Sequence, residues 1–371
     1  MTQKGGSLPS PITEINGKSA EDYVQRWSSP FSYQEDHARY NRLFPNQAQI
    51  STGSIINQFG RSNTPDGNTT RIKHANGTLF EYINSATIPL DVFDSISDGT
   101  DLFNAFCNRG PPKTNEKRDT TEVLRDATKV KKHKREEPTA TGFPKPQVLH
   151  SEAVLGGYYL SGNGYDDVAV LSVPSFSPET EAGPAEFQDI TGSFIQGAAA
   201  AGKKRLVIDL RGNGGGRVFL GYDMFKQLFP SIDPYGASQF RANDAFDLVG
   251  QFMTEVLKDV SYDDALKDFQ AKGLDSIAGI LYQSIFNYKL PNTVENKNFT
   301  SWQDFFGPHE INGDKFTSVS RKDLNNFFSD DLTLDVTGFR TRADKLNKNQ
   351  PFKSENIVLL QDGKSFLFEL I

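Results

Sequence analysis

Arg205-Leu-Val-Ile-Asp-Leu-Arg-Gly-Asn-Gly-Gly-Gly216 is the stretch on which the fold turns. Leu206 to Leu210 is a short apolar run bounded by charge, the pattern of a strand buried on both faces. The glycines after it end the strand in a tight loop, and Leu220, Phe225, Leu228 and Phe229 then recur at helical spacing. Upstream, Val168 to Val173 forms a second apolar run. Pro184 sits where a first helical turn tolerates proline, and Phe187, Ile190, Phe194 and Ala198 follow with a helical period up to Gly202. Strand, helix, strand, helix implies a parallel pair with a crossover, and so an α/β core.

Working outward, residues 240–290 read as a helical insertion, with Phe246, Val249, Phe252 and Val256 and then Ile277, Leu281 and Ile285 as apolar stripes. The Phe residues, 29 against 2 Trp, are read as core filler. A last strand spans 356–360 and stops at Asp362-Gly363. Toward the N-terminus, Ile12 to Ile15 reads as a strand and Asn16-Gly17 as a turn with positive φ. Ser19 then caps a helix, with Asp22 completing a capping-box pattern and Ala20, Tyr23, Val24 and Trp27 as its stripe. Pro65-Asp66-Gly67 and Asn76-Gly77 punctuate short runs in a small β-rich domain over 10–107. Residues 108–147 hold Arg109-Gly110-Pro111-Pro112, a charge run from Lys129 to Glu137 and three further prolines, and read as a mobile linker without a core. The remaining 148–371 form the α/β core, so the whole chain is α+β in the broad sense.

Composition narrows the function. A net charge of −7 argues against a general nucleic-acid binder. No run approaches the ~20 apolar residues of a membrane span, and MTQKGGSLPSP lacks the apolar region of a signal peptide. Cys107 is the single cysteine, so no disulfide forms within the chain. Three sequons, at Asn68, Asn76 and Asn298, are about what this composition gives by chance, and the compartment stays open. No His, Cys and carboxylate cluster has ligand spacing, so neither metal nor cofactor is implied.

The glycine loop has several physical uses. Glycines beside a helix N-terminus turn backbone N–H groups outward toward negative charge. A nucleotide P-loop requires Lys-Ser/Thr at its end, where Arg217-Val218 stands. A dinucleotide fingerprint requires glycine at position 217. An oxyanion hole requires only exposed N–H groups beside a nucleophile, and a plain strand-to-helix turn requires no ligand at all.

Taken with three other segments, the loop resembles a family. Residues 205–216 are similar to the strand-and-loop signature of tail-specific (C-terminal-processing) serine peptidases. Pro11-Ile-Thr-Glu-Ile-Asn-Gly-Lys-Ser-Ala20 resembles their PDZ-like peptide-binding segment. Gln34-Glu-Asp-His-Ala-Arg-Tyr-Asn41 with Leu43-Phe-Pro45 is similar to the fungal branch related to the chlamydial protease-like activity factor. Glu355-Asn-Ile-Val-Leu-Leu-Gln-Asp-Gly363 resembles the strand leading to the nucleophile in that branch. The resemblance implies peptide-bond hydrolysis through an acyl-enzyme, a peptide or protein substrate, and oxyanion-hole donors at Gly215 or Gly216. In some fungal members it implies processing of a precursor peptide in mycotoxin biosynthesis.

The sequence departs from the family's pattern after Gly363. There the family carries a small residue, then Cys, a small residue, the catalytic Ser, Thr and Cys. Here Lys364-Ser-Phe-Leu-Phe-Glu-Leu-Ile371 follows, with Leu367 at the nucleophile's position and Ser365 as a remaining candidate. The branch's catalytic His precedes the PDZ-like segment, and His37, His74, His133, His150 and His309 are read as surface or loop residues. Two readings stand: an incomplete serine peptidase, or a non-catalytic peptide-binding relative.

Overall fold

The computed structural model describes residues 10–44, 67–84, 96–107, 144–329 and 334–363. The expected linker falls mostly outside them, as do His133, Ser365 and the rest of 364–371. The described residues up to Cys107 form one compact unit and those from Pro144 onward a second.

The first unit contains β1 (Ile12–Ile15), β2 (Lys18–Ser19), α1 (Ala20–Ser28), α2 (Asp36–Arg42), β3 (Thr69–His74), β4 (Leu79–Ile83) and α3 (Gly99–Phe106). Asn16 and Gly17 take φ of 51° and 74°, which turns β1 tightly back into β2. Ser19 Oγ accepts the Asp22 N–H at 3.1 Å and so caps α1. The sheet runs β2-β1-β3-β4, antiparallel throughout. Period-two alternation sorts its faces. Ile15 packs with Tyr23 and Val24 of α1 and with Leu43. The opposite face carries a ladder of ion pairs, Glu14 with Lys73 and Arg71 with Glu81.

The second unit is organised by a five-stranded sheet. Its strands are β5 (Val148–Leu149), β6 (Gly156–Tyr159), β7 (Val168–Ser172), β8 (Arg205–Asp209) and β14 (Ile357–Leu360), in the order β14-β8-β7-β6-β5. β14, β8 and β7 are parallel, and β6 and β5 continue antiparallel. Helix α4 (Gly183–Ala200) joins β7 to β8, and α5 (Val218–Leu228) follows β8, giving the βαβα order read from the sequence. α4 begins with Pro184 in its first turn, and Gly202 just beyond its end takes φ 78°. Ala169, Leu171, Leu206 and Ile208 face these helices and bury Phe187, Phe194 and Ile195. Each of those three side chains contributes about 1.5–3 kcal/mol by leaving water. Gly157 of β6 has no side chain because a Cβ there would stand 2.3 Å from the Phe194 ring.

Between α5 and β14 lie β9 (Ala237–Ser238), α6 (Asp244–Val256), α7 (Tyr262–Lys272), α8 (Ile277–Tyr282), β10 (Asn292–Thr293), α9 (Trp302–Phe306), β11 (His309–Ile311), β12 (Asp314–Phe316) and β13 (Ser320–Arg321). The helical insertion is present, but its apolar residues are not uniformly core. Phe246 stacks on Trp302, whereas Leu248, Phe252, Val256, Ile277 and Ile285 are exposed. On α6 the buried positions are Gly250 and Met253, so the helix packs through the face that lets Trp302 approach. The reading of phenylalanine as core filler therefore fails at Phe252.

Segment 334–342 is tied to α4 and α5 by Asp223, which is fully buried. Its carboxylate accepts from Gln188 Nε2 at 2.6 Å, Gln227 Nε2 at 2.5 Å and Thr337 N–H at 2.7 Å. Burial raises its pKa above the ordinary carboxylate value, against the pull of the hydrogen bonds from Thr337, Gln227 and Gln188.

Candidate functional site

The register of the parallel strands places Ser172, Asp209 and Leu360 side by side, so β7, β8 and β14 end together. Loops leaving the carboxyl ends of parallel strands are where α/β proteins place ligands. Here those loops are Val173–Pro178, the glycine stretch and Gln361-Asp362-Gly363.

Side chains fix the glycine loop at both ends. Asp209 holds Arg211 in a bidentate pair at 2.9 and 2.8 Å, and this pairing keeps the guanidinium above its ordinary pKa. Gly212 takes φ 73° and donates its N–H to Asp362 Oδ2 at 3.0 Å, which ties the loop to the end of β14. Asn213 is fully buried and acts as a clamp. Its Nδ2 donates to Val173 O, and its Oδ1 accepts the Gly215 N–H, both at 2.7 Å. The chain then runs beside Phe176, with Phe176 N–H donating to Gly215 O and Arg217 N–H to Phe176 O, each at 2.9 Å. Gly215 and Gly216 take φ of 102° and 138°. At Gly216 a Cβ would lie 2.4 Å from Phe176 C and 2.5 Å from its O, so this glycine is required by close approach as well as by φ.

This clamp sorts the loop's donors. The Gly215 N–H is spent on Asn213, whereas the N–H groups of Gly214 and Gly216 meet no acceptor among the described residues. α5 starts two residues after Gly216, with Arg217 making no side-chain cap. Free N–H groups beside a helix N-terminus favour an anion or a developing oxyanion.

No histidine among the described residues is poised as a base at this loop. His150 lies in a loop but is buried, contrary to a surface reading. Its Nδ1 accepts the Glu152 N–H at 3.0 Å and its Nε2 faces Gly183 O at 2.9 Å, so backbone groups occupy both ring nitrogens. His37 stands exposed beside Glu35, His74 Nδ1 contacts Ser10 O, and His309 Nε2 contacts Ser318 Oγ. Ser172 Oγ is buried without a hydrogen-bond partner. The Asn213 clamp and the Asp362 tie escaped sequence reasoning. Asparagine among glycines reads as turn filler, and Asp-Gly reads as a turn, until both partners are in view.

The family described as a CPAF-like PDZ domain matches residues 1–93. The peptidase S41 family protein phomP1′ of Diaporthe leptostromiformis is 29% identical over 361 residues, 96% of this chain and 51% of that protein. The peptidase S41 family protein ustP of Aspergillus flavus is 28% identical over 341 residues, 88% of this chain and 64% of that one. The crystal structure of mature CPAF is similar with a TM-score of 0.37 at 17% identity, over 78% of this chain and 50% of CPAF. The chain spans about half the length of the phomP1′ protein it matches. The chain is thus similar to peptidase S41 family proteins along most of its length and to the CPAF-like PDZ domain over residues 1–93.

Proposed function

We propose that the chain belongs to a serine endopeptidase that cleaves peptide bonds through an acyl-enzyme, and that its glycine loop supplies oxyanion-hole donors. The observation that carries this reading is the pair of N–H groups at Gly214 and Gly216 that meet no acceptor among the described residues. They lie on a clamped loop that Asp362 joins to β14, the strand resembling the one that leads to the family's nucleophile. As a carbonyl carbon is attacked, its oxygen gains charge. A rigid N–H aimed at that oxygen stabilises the transition state more than the ground state. Asn213 keeps the donors in place by consuming the intervening N–H. Gly216 remains a donor candidate, Gly214 joins it, and Gly215 is committed to the clamp.

A precursor peptide in fungal mycotoxin biosynthesis is the substrate class this reading favours, as the resemblance implies for some fungal members. The second reading, a non-catalytic peptide-binding relative, draws on the departure from the family's pattern after Gly363, where Leu367 stands at the nucleophile's position. Fluorophosphonate labelling separates the two. The chain as it stands is expected to leave Ser365 unlabelled. A version with Cys-x-Ser-Thr-Cys in the family register after Gly363, and with the family's upstream His segment, is expected to label at the new serine and hydrolyse peptides. A restored protein that folds but neither labels nor cleaves overturns the peptidase reading.

A further inference from the structure

Helix α6 carries two apolar faces, and the insertion covers one of them. On the covered face Gly250 and Met253 are buried, and Phe246 stacks on Trp302 and meets Phe286. The second face holds Leu248, Phe252 and Val256 at i, i+4 and i+8, with Val249 beside them. Leu248 is 70% exposed, Phe252 66%, and Val249 and Val256 39% each. A helix that is apolar on more than one side is normally covered on each. Single exposed apolar residues need no explanation, but a continuous row of four marks a contact surface.

Shape and charge choose the occupant. Leu248, Phe252 and Val256 form one i±4 ridge, and such a ridge interlocks with the grooves of another helix. The interior N–H and C=O groups of α6 bond within the helix, so they offer nothing to an extended strand. Of the seven charged residues from 244 to 264, six are acidic and only Lys258 is basic. Lys258 pairs with Glu255 at 2.5 Å, and Asp247 accepts from Trp302 Nε1 and Gln251 Nε2. Asp244 at the start of α6 and Asp259 just past its end are exposed, and neither forms an ion pair among the described residues. Uncompensated negative charge therefore stands at both ends of the ridge. A second copy is a poor occupant for this reason. An antiparallel pair crossing at Phe252 sets Asp244 near Asp259 of the other copy, and a parallel pair sets each against itself. Like charges so placed oppose association, and they oppose contact with anionic lipid in the same way.

We propose that the Leu248, Phe252 and Val256 ridge of α6 docks an amphipathic helix of a partner protein, one with an apolar stripe and with lysine or arginine toward both ends. The site uses none of the glycine loop's groups, so its failure and a failure of the oxyanion assignment are separate results.

The test is fluorescence anisotropy of the full chain with a labelled amphipathic peptide about five helical turns long. The peptide carries leucine along one face, glutamine on the other and lysine at each end. Saturable binding is expected. Phe252→Gln and Leu248→Gln alter exposed side chains and should leave the fold in place. Each should weaken binding about tenfold or more, as loss of one buried apolar side chain does. A peptide of the same composition with its leucines scattered round the helix should also bind about tenfold or more weakly. Exchanging the peptide's lysines for glutamate, or combining Asp244→Asn with Asp259→Asn, should weaken binding several-fold. Should a glutamine variant unfold, the comparison of the two leucine arrangements on the unaltered protein decides. Absence of saturable binding, equal binding of the scattered peptide, or indifference to both charge changes overturns the proposal. So does a dimer seen by sedimentation that Phe252→Gln dissolves, which would make a second copy the occupant.

Discussion

Gly216→Ala tests the loop geometry most sharply, because three constraints meet at one Cα. The φ of 138° is one that side-chain-bearing residues rarely adopt, and the new Cβ would stand 2.4–2.5 Å from Phe176 C, Phe176 O and Ser177 Oγ. Phe176 cannot retreat freely, since its N–H and C=O bond to Gly215 and Arg217 on either side of the substitution. Backbone strain costs about 1–3 kcal/mol and overpacking a further 1–3 kcal/mol. A loss of about 2–6 kcal/mol is expected. The neighbours supply the scale. Gly215→Ala meets no atom within 4 Å but keeps φ at 102°, so it should cost about 1–3 kcal/mol. Gly214→Ala meets nothing within 4 Å and has no left-handed φ, so it should cost less than about 1 kcal/mol. A chain of two units need not unfold in one step. The assay is therefore hydrogen exchange of β8 and α5 amides, which reads the local opening energy. Equal protection in the Gly216 and Gly214 variants would refute the close approach to Phe176.

Three further outcomes follow from the packing. Asp223→Asn reports the buried carboxylate. Because burial raises its pKa, the folded state holds the proton more tightly than the unfolded one. The stability advantage of wild type over the variant should shrink as pH rises from the ordinary carboxylate range through the raised folded value. Urea titrations showing that advantage growing with pH would contradict the assignment. Gly250→Ala places a Cβ 1.8 Å from Trp302 Cζ2 and should loosen the insertion by about 2–3 kcal/mol, read from Trp302 fluorescence; an unchanged midpoint would count against this packing. Asn213→Ala strands the Gly215 N–H and Val173 O and should cost about 2–3 kcal/mol; exchange protection at β7 and β8 no lower than wild type would show that the clamp is dispensable.

Much of the architecture was readable because its signals are local. The run from Leu206 to Leu210 and the helical spacing of Phe187 and Phe194 follow directly from what must be buried. Asn16-Gly17 and Gly202 mark positions where positive φ is needed, and all three adopt it. The insertion was harder to read. Phe246, Val249, Phe252 and Val256 form a helical stripe that looks like a core face, yet only Phe246 of them packs. The face used instead runs through Gly250 and Met253, because a glycine admits the broad Trp302 ring. Periodicity identifies an apolar face and is silent on what covers it. The glycine loop was legible as a site for negative charge, but its donors were not. Two adjacent glycines look equivalent until the Asn213 side chain claims one N–H and leaves the next without an acceptor among the described residues. Asp223 was invisible for a similar reason: its partners Gln188 and Thr337 lie 35 and 114 residues away in sequence.

If the glycine loop works as proposed, the Gly216 N–H holds the oxygen of a tetrahedral intermediate. A single backbone amide-to-ester exchange at Gly216 removes that N–H while keeping the chain's shape, which a side-chain substitution at this crowded position cannot do. In the restored peptidase the exchange should lower kcat on the order of 100- to 1,000-fold with KM changed only a few-fold, as loss of one oxyanion donor does. The same exchange at Gly215, whose N–H already serves Asn213, should weaken the clamp and leave most of kcat in place. A kcat unchanged by the ester at Gly216, in a protein that folds and labels at its serine, would contradict the account.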